Sequence, residues 1–130
     1  MNYVLDTSAV LTVLRAGPGY QIVVDVLNRA GGPGAVFLPF IALMEVEYVV
    51  LRSDGPAQAG NALRLVEAWP VEVVESSPAW RHAAAEVKSR GGLSLADAWI
   101  AALALLRRAT LLHHDPEYDS VQGLKALSLR

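Results

Sequence analysis

The chain has 130 residues, 53% of them hydrophobic and 18% charged, with 11 Lys and Arg against 13 Asp and Glu for a formal charge of -2. A chain of this length accommodates one domain, and its apolar content excludes intrinsic disorder, which needs low hydrophobicity and high net charge. Cys is absent, which removes a disulfide scaffold, a zinc finger and a cysteine nucleophile together. The near-balanced charge lacks the strongly basic footprint of many nucleic-acid binders. No apolar run reaches the ~20 residues of a membrane span, and the N-terminus shows no basic region or cleavage site of a secretory signal. The expectation is a single domain over residues 1–130, acting in the cytoplasm. A charged fraction below the usual ~25% leaves more apolar surface than a lone monomer hides, so a partner surface is expected as well.

Short β-type runs alternate with longer helical ones, the pattern of an α/β layer fold with a mainly parallel sheet. Tyr3 to Leu5 is the first strand. Asp6-Thr7-Ser8 supplies cap chemistry for a helix to about Arg15, stopped by Gly17-Pro18. Gly19 to Arg29 places Ile22, Val23, Val26 and Leu27 at helical spacing, and Gly31-Gly32-Pro33-Gly34 closes that helix. Val36 to Leu38 is the second strand and Ala42 to Arg52 the third helix. Pro56 opens a fourth helix to Ala68, and Val71 to Val74 is the third strand. Ser77-Pro78 starts a fifth helix to Arg90, Gly91-Gly92 breaks it, and Ser94 caps a sixth through Arg108. Ala109 to Leu112 and Ala126 to Leu129 complete the strands.

On this map four acids stand where an acid is locally odd. Asp6 ends the first strand and Asp115 follows the fourth. Ligands collect at the carboxyl ends of parallel strands, so these two share a crevice if their strands are neighbours. Asp97 lies in the first turn of a helix that is apolar on every side, Leu95 to Leu106, and is therefore expected to be buried. Burying its carboxylate costs several kcal/mol without compensation, and the helix dipole returns only ~0.3 to 1 kcal/mol. A cation or hydrogen-bond donors should be close. Glu45 shares a stripe with Ile41 and Val49, whereas Glu47 is turned about 200° away, so one of the two points inward.

Carboxylates brought together repel and raise one another's pKa unless a divalent cation holds them. Such hard oxygen ligands suit Mg²⁺ or Mn²⁺, and a site of this kind carries out metal-dependent phosphodiester hydrolysis without a covalent nucleophile.

Asp6-Thr7-Ser8 after a short strand, Met44 to Leu51 on a helix, Leu93 to Ala102 opening another, and Leu111-Leu112-His113-His114-Asp115-Pro116-Glu117-Tyr118 together resemble the four acidic motifs of the PIN-domain family. The likeness is greatest to the VapC-type toxins of toxin-antitoxin pairs and runs in order along nearly the whole chain. It implies a three-layer α/β/α sandwich around a mainly parallel sheet of about five strands, ribonuclease activity dependent on Mg²⁺ or Mn²⁺, a VapB-type antitoxin and a homodimer. Residue by residue, Asp6, Glu45, Asp97 and Asp115 match the metal-binding catalytic acids, with Ser8 as a small polar residue beside the first. The implied reaction is attack of a metal-activated water on RNA without use of the 2′-hydroxyl. The chain departs from the family at His113, where members usually carry Thr or Ser.

Each acid also has a plain structural role. Asp6 can cap a helix, Glu45 can lie on a solvated face, Asp97 can answer the helix dipole and Asp115 can open a turn with Pro116. Glu117 is either an outer ligand or surface, and Asp119 is read as surface. His113 and His114 cannot both face the site, because adjacent strand residues point to opposite faces. Trp69, Trp80, Trp99 and Tyr48 are expected as core or interface anchors. The alternative function is a non-catalytic PIN-like module that binds RNA or protein. A phosphatase of the haloacid-dehalogenase type fits poorly, since an Asp-x-Asp would put an acid at Ser8. A receiver domain also fits poorly, since Leu5 stands where an acid pair is wanted.

Overall fold

The apolar run Tyr3–Leu5 forms strand β1 and takes the centre of the sheet in the computed structural model, which describes residues 1–30 and 34–130. Gly31-Gly32-Pro33, expected to close the second helix, lies outside the described residues. Strand β2 is Val36–Pro39, β3 Glu72–Val74, β4 Thr110–His113 and β5 Lys125–Ser128. They pair in the order β3-β2-β1-β4-β5, and every pairing is parallel. The expected parallel sheet of about five strands is therefore present.

Helices cover both faces, and the alternation along the strands sorts the core into two halves. Tyr3, Leu5, Val36 and Leu38 pack against α1 (Thr7–Leu14), α2 (Tyr20–Ala30), α3 (Phe40–Asp54) and α4 (Pro56–Glu67). Val4, Phe37 and Leu111 turn the other way, onto α5 (Pro78–Ser89) and α6 (Leu95–Arg107). A sheet buried on both faces explains why its central strands read as unbroken apolar runs. The result is the three-layer α/β/α sandwich.

Element boundaries differ from the expectation mainly at α3, which begins at Phe40 directly after Pro39, two residues before the expected Ala42. Nothing in a single sequence marks that start, because Pro39 offers no side-chain cap. Elsewhere the expected caps form: Ser77 accepts from the amide of Trp80 and Ser94 from that of Asp97, both at 3.2 Å. Of the aromatic anchors, Trp80 and Trp99 meet each other and Phe40 edge to face with centroids 5.0 to 5.5 Å apart. Trp80 is buried and donates from Nε1 to the Trp99 carbonyl at 2.7 Å. Trp69 packs on the first core half, whereas Tyr48 is exposed.

The topology decides where a site can form. The chain lays down β1, β2 and β3 in one direction, then crosses back to place β4 and β5 on the other side of β1. The crevice beyond the carboxyl ends of β1 and β4 is thus the switch point of the sheet. Asp6 sits at its lip, with its amide donating to the Leu112 carbonyl at 3.1 Å. Because α6 leads into the start of β4, its own N-terminus, carrying Asp97, is delivered to the same edge.

Candidate metal centre

Asp6 is buried at 4% exposure, and each of its oxygens has a separate task. Oδ2 accepts from the amide of Ser8 at 2.9 Å and from the Ser8 hydroxyl, which makes Asp6 the N-cap of α1. Ser8 Oγ in turn accepts from the amide of His114 at 3.0 Å, locking the end of β4 to the start of α1. Oδ1 turns away from the cap and accepts from the Tyr118 hydroxyl at 2.6 Å. Capping and a place in the crevice therefore coexist in one carboxylate.

Tyr118 Oη also lies 3.0 Å from Oδ1 of Asp97. Burial, followed by the charges of Asp6 and Asp97, pushes the Tyr118 phenol far above its ordinary range, so the group is a permanent donor. One hydroxyl proton cannot serve two carboxylates at once. The shorter contact goes to Asp6, and Asp97 in its neutral form can donate back to the phenol oxygen. Consistently, the Asp97 pKa is raised to about 7, first by burial and then by the charge of Asp6, with smaller contributions from Asp115 and a partial offset from the Tyr118 hydrogen bond. The expected full burial of Asp97 is corrected, since it is only half-buried. Its helix is not covered all round, with Leu95 67% and Leu106 49% exposed. The polar partner that the burial argument required is the Tyr118 hydroxyl, 3.0 Å from Oδ1 of Asp97.

Asp115 caps the 3-10 helix Pro116–Ser120, its Oδ1 accepting from the amide of Glu117 at 2.9 Å. That turn brings Glu117 back toward the crevice. Among the described residues, carboxylate oxygens of Asp97, Asp115 and Glu117 lie within 4.8 Å of one another, a group able to hold a metal ion. Glu117, for which the sequence allows an outer ligand or plain surface, is thus beside the acids, although exposed.

Neither Asp6 nor Glu45 belongs to that tight group. Asp6 joins it through Tyr118. Glu45 is half-buried and accepts from Thr7 Oγ1 at 2.5 Å, whereas Glu47 is exposed, so of the two it is Glu45, the one the family resemblance matches, that turns inward. His113 is buried with its ring 5.0 Å from that of Tyr118, and its Nδ1 has no hydrogen-bond partner. Burial lowers the pKa of this imidazole. His114 points elsewhere, its Nε2 lying 2.9 Å from the Pro18 carbonyl.

Two residues of the crevice were not singled out from sequence. Thr7 stood inside the Asp6-Thr7-Ser8 run and passed as part of a cap. Tyr118 stood in the Asp115 motif, and its signal was an aromatic side chain placed among Glu117, Asp119 and Ser120, where a surface loop has no reason to bury one.

Carboxylates gathered at the switch point of a parallel sheet between two helical layers define an α/β/α protein with an acidic centre. The family model described as PIN domain matches residues 3–124, and the chain belongs to the PIN-domain family. Among solved structures it is similar to VapBC2 from Rickettsia felis bound to a DNA fragment from the promoter, with a TM-score of 0.81, 19% identity and 98% of each chain covered. DNA-bound VapBC from Salmonella typhimurium gives a TM-score of 0.80 at 14% identity, covering 100% of this chain and 99% of the other. Mycobacterium tuberculosis VapC20, described as a Sarcin-Ricin loop cleaving toxin, gives 0.71 at 18% identity, covering 92% and 94%. At these identities the likeness is one of fold. Comparison with curated proteins gives no match.

Proposed function

We propose that the chain is a VapC-type toxin: an endoribonuclease that hydrolyses RNA phosphodiester bonds at a divalent cation, Mg²⁺ or Mn²⁺, and is inhibited by a VapB-type antitoxin. The observation that carries this reading is the meeting of Asp97, Asp115 and Glu117 within 4.8 Å, with Asp6 one hydroxyl away. These are hard oxygen donors, and the raised pKa of Asp97 is the strain that a bound cation relieves. The donor set therefore fits the ion.

Asp6, Glu45, Asp97 and Asp115 are proposed as the ligands, with Ser8 and Glu117 as outer support. When bound, the cation supplies Lewis acidity toward the phosphodiester and lowers the pKa of water. Ser8 holds Asp6 through two contacts, and Thr7 holds Glu45 at the rim. Exposed Met44, Tyr48 and Leu51 on α3 support a protein partner, either a second copy in a homodimer or the antitoxin. Among the described residues no helix is long and apolar enough to cross a membrane. One PIN-like domain over residues 1–130, working in the cytoplasm, completes the proposal.

The test is cleavage of total RNA with Mg²⁺ and with chelator, by the parent and by Asp97→Asn. Cleavage by the parent that needs the cation and is lost in the variant is expected. Equal cleavage by both would sink the assignment. Absence of divalent-ion binding by an intact parent would favour the non-catalytic binding module instead.

A further inference from the structure

Tyr118 is 1% exposed, and its ring meets His113 edge-on at 5.0 Å and 67°. That packing fixes the ring, and a phenol oxygen lies on the ring axis, so a fixed ring is a fixed hydroxyl. The hydroxyl reaches Oδ1 of Asp6 at 2.6 Å and Oδ1 of Asp97 at 3.0 Å. These two carboxylates are otherwise held very differently. Asp6 has the amide and hydroxyl of Ser8 on its other oxygen. Asp97 is anchored to Ser94 only through its backbone amide, and its carboxyl otherwise faces Asp115, another acid.

We infer that Tyr118 is a positioning residue for the divalent cation, its hydroxyl setting the orientation of the Asp97 carboxylate relative to Asp6. The inference rests on the proposed metal-site function. The terminal torsion of an Asp side chain is broad and roughly two-fold, so hydrogen bonding decides its setting. Without the hydroxyl, repulsion from Asp6 and Asp115 turns Asp97 outward, and binding a cation then requires its reordering. Outer groups that orient ligands typically contribute about 10- to 100-fold in metal affinity. Tyr118 does this from the turn that also carries Asp115 and Glu117, so one short segment brings both acids and the group that aligns a third.

The test is Mn²⁺ binding to the parent and to Tyr118→Phe, by calorimetry and by electron paramagnetic resonance of the bound ion. Phe keeps the ring and its contact with His113. The expected result is affinity weaker on the order of 10-fold, a changed spectrum of bound Mn²⁺, and a folded protein whose unfolding temperature in chelator is lower than the parent's, because Oδ1 of buried Asp6 loses its donor. Equal affinity with an unchanged spectrum overturns the role of Tyr118 while leaving the metal site standing. Failure of the parent to bind Mn²⁺ overturns the metal site, and Tyr118 with it. If Tyr118→Phe does not fold, the parent labelled with 3-fluorotyrosine decides. Its 4 tyrosines are assigned by Phe variants of Tyr3, Tyr20 and Tyr48. A fluorine shift of Tyr118 larger than the others on adding Mg²⁺ supports the role, and no shift overturns it.

Discussion

Thr7 Oγ1 donates to Oε1 of Glu45 at 2.5 Å, joining the first turn of α1 to the middle of α3 across 38 positions of chain. The contact uses Glu45 as an acceptor, a role that a neutral amide oxygen fills more weakly. A hydrogen bond to a carboxylate contributes about 1.5 to 3 kcal/mol net. Glu45→Gln keeps an acceptor oxygen and loses the charge, so it should keep part of this contribution and lose about 1 kcal/mol of stability in chelator. Mg²⁺-dependent cleavage should fall about 10-fold or more, as for other losses around a metal site. Glu45→Ala should lose both. Denaturant unfolding and cleavage rates check this, and parental cleavage by Glu45→Gln would remove Glu45 from the ligand set.

Asp97 makes the metal-free protein pH-sensitive in a defined direction. Its pKa rises from 3.8 to about 7 on folding, so the folded state holds this proton more tightly than the unfolded state. Stability from this group is therefore greatest at low pH and declines as pH rises from about 4 to about 7, with the full penalty present above that. Buried His113, whose pKa is lowered, contributes the opposite slope below its ordinary 6.5. The difference between parent and Asp97→Asn isolates Asp97. In chelator above neutral pH the variant should be more stable, by about 1 kcal/mol once solvent screening of a half-exposed group is allowed for. Adding Mg²⁺ should close the gap by stabilising only the parent. Denaturation across a pH series checks it, and a variant no more stable than the parent at alkaline pH would contradict it.

Gly19 couples the N-terminal end of α2 to the last strand. Its φ is +90°, and an added Cβ would stand 2.3 Å from the carbonyl oxygen of Leu129. Gly19→Ala should therefore be destabilising by about 1 to 3 kcal/mol, with the strain released at the exposed edge strand β5. Gly34→Ala has a similar φ of +84° but nothing within 4 Å, so only the conformational cost of about 1 kcal/mol remains. Amide exchange separates them: β5 amides should exchange faster in the first variant and at the parental rate in the second.

Much of this protein was open to its sequence. The strand and helix order, the caps at Asp6, Ser77 and Ser94, and the opposed facing of Glu45 and Glu47 all follow from periodicity and local hydrogen-bond chemistry, which act within a few residues, whereas the choice of Glu45 rests on the family resemblance. Asp6, Asp97 and Asp115 were conspicuous for the same local reason, each being an acid at a strand end or in the first turn of an apolar helix. Tertiary structure decided how these acids meet. Strand order placed β4 beside β1, which turned two strand ends into one crevice. The turn after Asp115 brought Glu117 to Asp97, and it carried Tyr118 to Asp6 across 112 positions. Proton sharing among these groups, and the half-exposure of Asp97, depend on distances of a few ångströms between distant segments. Residue spacing sets periodicity within a segment, whereas those distances are set only when the helical layers close over the sheet.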